Sequence, residues 1–91
     1  MTGMTLADFT VGTDYEAQRG GGAWPLTLTA AEALQGSPRE GGGFRLEFQG
    51  ASDVILEQGI YTFTGDGETR EIFIGPIARD ENATTYEAVF F

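Results

Sequence analysis

An all-β fold is predicted for this chain: a small antiparallel barrel or rolled sheet of five or six strands, with one short helical turn near the N-terminus. Three observations carry the prediction. Apolar and polar residues alternate with period two over short segments. Fourteen glycines fall between those segments and punctuate them as turns. Thr, Ile, Tyr and Phe fill the segments, and these side chains suit a pleated, half-buried surface. With 91 residues, 41% of them hydrophobic, the chain has enough for one packed domain spanning residues 1–91.

Taken in order, Thr5-Leu6-Ala7-Asp8-Phe9 reads as a single helical turn. Thr5 is a possible cap, Asp8 completes an imperfect capping box, and Leu6 and Phe9 turn to the core. Tyr15–Gln18 is a short strand, and Arg19-Gly20-Gly21-Gly22 reads as a mobile hairpin tip before Trp24. Leu26–Thr29 begins another strand. Thr29–Gly36 carries helix signals, namely a Thr cap, a Glu at the third position and a closing Gly. Seven residues make a marginal helix, and the segment continues directly from a strand, so strand to about Leu34 is the favoured reading. Phe44, Leu46 and Phe48 alternate with Arg45 and Glu47. Ile60–Thr64 and Glu71–Ile74 flank a glycine-containing turn and form a hairpin whose register the loop length leaves open. Tyr86–Phe91 closes the chain. The predicted core gathers Phe44, Leu46, Phe48, Tyr61, Phe63, Ile72 and Ile74.

Composition excludes several chemistries. The chain has no His, Cys or Lys, and its formal charge is −9. Ser-His-Asp and Cys-His catalysis, lysine Schiff bases, Cys/His zinc sites and disulfides are therefore all impossible. The acidic balance argues against nucleic acid and anionic membranes, because both bind through clustered Lys and Arg. No apolar run reaches the ~18–20 residues needed to span a bilayer. Met1–Phe9 lacks a basic region followed by an apolar one, so no signal peptide is expected and the default location is cytoplasmic.

The order of segments has a further meaning. Leu6-Ala7-Asp8-Phe9, Pro25-Leu26-Thr27-Leu28, Gly36-Ser37-Pro38-Arg39, Gln58-Gly59-Ile60-Tyr61-Thr62 and Tyr86-Glu87-Ala88-Val89-Phe90 together resemble an uncharacterised family of small bacterial all-β domains. The resemblance covers nearly the whole chain through turns and strands. It implies strand for Leu26–Leu34 and an association with phage-tail-like or surface-fibre assemblies. It supplies no active site.

Three residues stand out as candidate interaction sites. Arg39 lies in the glycine-rich loop 36–43, where successive backbone amides can form an anion-binding nest; a plain connection with a solvated Arg39 is the simpler reading. Trp24, the sole tryptophan, is either an exposed anchor or a cap on one end of the core. Phe91 ends a strand that is apolar on both faces, with Tyr86, Ala88 and Phe90 on one and Val89 and Phe91 on the other. Such a strand needs cover on both sides. A weak homodimer through its face or edge is expected, with Leu6–Phe9 as the alternative cover within one chain.

Other clusters favour turn and surface chemistry. Asp66-Gly67-Glu68 and Asp80-Glu81-Asn82 offer oxygen ligands, but neither has the spacing of a calcium loop, so no metal and no cofactor are expected. Glu47 and Glu87 can share a face if their strands pair, yet acids alternating on a strand are the ordinary dress of a solvent face. A non-enzymatic protein–protein interaction or structural accessory module is thus the expected function. The alternative is a small-molecule or carbohydrate binder, or a weak hydrolase, using the barrel mouth and Arg39. A barrel filled with aromatics favours the first, and an open pocket with convergent polar groups favours the second.

Overall fold

Backbone groups buried by a small domain must find partners, and a sheet that closes on itself supplies them without leaving an edge. The computed structural model, which describes residues 5–36 and 42–91, adopts this solution. Six antiparallel strands form the wall: β1 (Asp14–Arg19), β2 (Gly22–Leu34), β3 (Gly43–Gly50), β4 (Gly59–Gly65), β5 (Glu68–Arg79) and β6 (Thr84–Phe90). They close in the order β1-β2-β3-β6-β5-β4.

The barrel is two three-stranded meanders joined by residues 51–58 and closed at two seams. At one seam β3 pairs with β6 from Phe44↔Phe90 to Gly50↔Thr84. At the other, β1 meets β4 only through Glu16↔Thr64, Ala17↔Phe63 and Gln18↔Thr62.

Two of the hairpins turn in two residues. Arg19 pairs with Gly22 and Gly65 with Glu68, leaving Gly20-Gly21 and Asp66-Gly67 as the turns. All four have positive φ (59°, 87°, 54° and 74°), the type I′ geometry whose twist matches that of the strands it joins. The tip expected to be mobile at Arg19–Gly22 is therefore a tight turn. Asp66-Gly67 fulfils the turn chemistry anticipated for it.

The ambiguous segment after Leu26 is strand as far as Leu34, and its helix-like signal has a physical cause. A β-bulge between Leu28 and Ala30 inserts Thr29 and shifts the alternation by one. Leu28 pairs with inward Phe48, while Ala31 and Ala33 pair with inward Leu46 and Phe44. Apolar positions thus recur at a spacing of three across the bulge, which imitates a helical period.

All seven predicted core residues are buried. They are joined by Phe9, Tyr15, Ala17, Leu26, Leu28, Leu56, Tyr86 and Ala88. Phe48 meets Phe63 with ring centroids 4.9 Å apart, and Tyr15 meets both edge-on, so aromatics from the two meanders interlock. The N-terminal turn is a 3-10 helix (Leu6–Asp8), held by the Thr5 N–H donating to the Asp8 carboxylate at 2.8 Å. Phe9 then packs on Phe44 and Phe90, closing one end of the barrel.

A free apolar edge at the chain end does not exist, because β6 has β3 on one side and β5 on the other. The N-terminal segment covers the Phe90 side alone. Val89 and Phe91 remain more than half exposed.

Candidate functional site

The interior is packed through. Toward the Trp24 end, a crevice lined by Trp24, Leu26, Val54, Leu56 and Tyr86 encloses only about 20 Å³. Tyr86 spans the same end: its hydroxyl accepts the Leu56 N–H at 3.0 Å and donates to the Val54 carbonyl. Thr84, the fully buried polar residue, donates to the Ala51 and Val54 carbonyls. No buried side-chain nitrogen or oxygen among the described residues lacks a partner. A site built for a small molecule usually leaves polar groups converging on a cavity of ~300–1,000 Å³, and among the described residues the interior shows neither.

Trp24 takes the capping role. Its ring stands edge-on to Tyr61, with centroids 6.2 Å apart, and it packs against the core in a half-buried position. The Arg19 guanidinium lies over the Tyr61 ring, 5.2 Å from its centroid. Arg39 lies outside the described residues, as does most of the loop that carries it.

On the outside, β3 brings Glu47 directly opposite Glu87 of β6, on one face as the alternation of their strands implies. Arg45 resolves that pairing. Its guanidinium contacts Glu47 at 2.5 Å and Glu87 at 2.7 Å, and it also bonds Glu32 of β2. Hydrogen bonds to Glu47, then Glu87 and Glu32, push the Arg45 pKa further up, so the cation is permanent. Both facing carboxylates are occupied by the guanidinium, which is a structural arrangement rather than an acid–base pair.

The outer surface of the second meander is different. Ile60 on β4 pairs with Phe73 on β5, and both are more than half exposed. Beside them Phe73, Pro76, Ile77 and Val89 line a groove of about 350 Å³. Gly75 also lines it, and Gln58 and Glu87 supply its polar margin. Two local features open this groove. Gly75 projects no side chain where its Cβ would have only van der Waals neighbours, the nearest being Gln58 at 3.4 Å. A bulge between Pro76 and Ala78 sets Ile77 out of register, on the exposed side. Bulges commonly re-aim a side chain in this way. Phe91, just beyond the end of β6, is 63% exposed.

Sequence reasoning identified Phe91 and the apolar outer side of β6 but missed Ile60, Phe73 and Ile77. Ile60 and Phe73 are legible in retrospect, since each alternates with buried neighbours and so must face out. Ile77 is not, because nothing in the residue pattern marks the bulge. Asp66 and Asp80 both sit in turns, Asp66 through its positive-φ backbone and Asp80 through its carboxylate. Asp80 accepts the N–H groups of Asn82 and Ala83 at 2.7 and 2.9 Å, and these bonds hold its pKa below the ordinary value. No group of three or more potential metal ligands occurs among the described residues. No helix among them is long and apolar enough to cross a membrane.

These observations define a class: a small closed six-stranded antiparallel barrel with a filled interior and an apolar outer face. The chain belongs to a family described as a domain of unknown function, DUF6916, whose sequence profile matches residues 4–90. No curated protein and no solved structure shows a significant match.

Proposed function

We propose that this domain is a non-enzymatic protein-interaction module, an accessory of a larger assembly, and that it docks through the outer face of β4, β5 and β6. One observation carries the reading. The strand-borne large apolar side chains left exposed among the described residues, Ile60, Phe73, Ile77 and Val89, all belong to that meander. Scattered apolar residues on a surface need no explanation, but a contiguous group around a groove marks an interaction site. The filled interior supports the same reading over one in which the barrel mouth holds a ligand. A phage-tail-like or surface structure is the kind of assembly proposed.

A photo-crosslinking residue at position 73, compared with one at Gln18 on the outer side of β1, tests this in the native cell. A discrete protein adduct from position 73 and none from position 18 is the expected result. Equal labelling from both positions, or none from 73, overturns the reading.

A further inference from the structure

We infer that the groove between β5 and β6 takes an apolar segment of a partner protein flanked by Lys or Arg, rather than a second copy of this chain; this rests on the docking face proposed above. The argument is charge complementarity. Glu71 borders Phe73 along β5, Glu87 sits at the groove itself, and Glu47 lies directly beyond it on β3. The cation on this side, Arg45, pairs with Val89 in the sheet register but is already held by three carboxylates. One guanidinium stands among four carboxylates here, Glu32, Glu47, Glu71 and Glu87, so the rim of the apolar centre stays negative in net even with Arg45 paired.

A twofold copy would bring the same acidic rim against itself, between two chains that each carry −9. Like charges juxtaposed at an interface suppress the wrong partner, and opposite ones steer the right one. Anionic membranes and nucleic acids are disfavoured by the same rim. Strand addition is not the mode either: Pro76 and the bulge at Ile77 interrupt β5 where it runs past its last β4 pair, Gly59↔Ile74. The groove accepts side chains, not a backbone.

The test is selection of a random-peptide library on the immobilised chain, counter-selected on Phe73→Asp, with Val89→Asp as a second variant. Both substitutions replace exposed residues, and a melting curve for each checks that the barrel is intact. Enriched peptides should carry Leu, Ile or Phe flanked by Lys or Arg. Their affinity should fall about tenfold or more in either variant. It should also weaken in Glu71→Lys and in high salt.

Enriched peptides that depend on Phe73 but carry acidic or uncharged flanks overturn the charge assignment and leave the docking face standing. So does a concentration-dependent dimer in sedimentation that Phe73→Asp abolishes, which makes the occupant a second copy. Absence of any Phe73-dependent peptide overturns both the partner and the face.

Discussion

Inside the barrel, β1–β3 contributes Tyr15, Leu26, Leu28, Phe44, Leu46 and Phe48, and β4–β6 contributes Tyr61, Phe63, Ile72, Ile74, Tyr86 and Ala88. The two meanders are chemically alike there, as they must be to share one core. Outside they part. The first shows Glu16, Gln18, Glu32, Arg45 and Glu47, tied into hydrogen-bonded and ion-paired groups. The second shows Ile60, Phe73, Ile77 and Val89. Burial dictates the inner residues of both halves. Nothing in folding demands apolar residues on the outer side of one half, and the proposed docking face rests on that asymmetry.

The sharpest way to break this comparison is to truncate an aromatic on each side of the wall. Phe48→Ala should cost about 3–5 kcal/mol, a large part of a small domain's stability. Phe73→Ala should cost within about 0.5 kcal/mol, as exposed substitutions usually do. Chemical denaturation of both variants measures the contrast, and similar losses would mean that Phe73 is structural.

Glycines extend the contrast. A Cβ at Gly65 would lie 2.7 Å from the Asp14 carbonyl, a backbone atom that cannot swing away. Gly65→Ala should therefore destabilise by about 1–3 kcal/mol. Gly75→Ala meets only ordinary contacts, so melting should hardly change while docking in the groove weakens. Measuring the two together separates a glycine kept for packing from one kept for access.

Arg45 gives a smaller effect. Its removal leaves Glu47 and Glu87 facing each other unscreened, and like charges directly opposite in a sheet destabilise it. Arg45→Met should cost about 1–2 kcal/mol, and added salt should recover part of that loss.

The least effect is expected at Asp80, whose carboxyl the Asn82 and Ala83 amides hold below its ordinary value of 3.8. A depressed carboxyl adds stability above the unfolded-state value and loses it as pH falls through the folded one. The decline in melting temperature below pH 3.8 should therefore be shallower in Asp80→Asn.

Much of this architecture is legible in the residue pattern. Strict alternation at Phe44–Phe48 and in the two strands flanking Asp66-Gly67 exposes both the strands and their inward sides, because period two has one geometric meaning. Thr29 and Ile77 are the instructive failures. Each is the extra residue of a bulge, and bulges are settled by how neighbouring strands twist to close the barrel, which no local window contains. The candidate site was half legible for the same reason. Its outward residues follow from alternation, but their convergence depends on which strands become neighbours. β6 looked like an edge because closure, a property of the whole chain, gives it a second partner.

The unequal seams have a consequence for how the barrel moves. Hydrogen-bonded strands separate most readily where the fewest bonds hold them, and local opening follows such lines. The β1–β4 seam joins only Glu16, Ala17 and Gln18 to their partners, whereas the β3–β6 seam runs the length of β6. Solvent exchange of backbone amides should therefore begin along β1 and β4, and the wall should open there like a cuff, with β3 and β6 as its hinge. Because that hinge adjoins the apolar groove, the groove stays assembled while the far side of the barrel breathes.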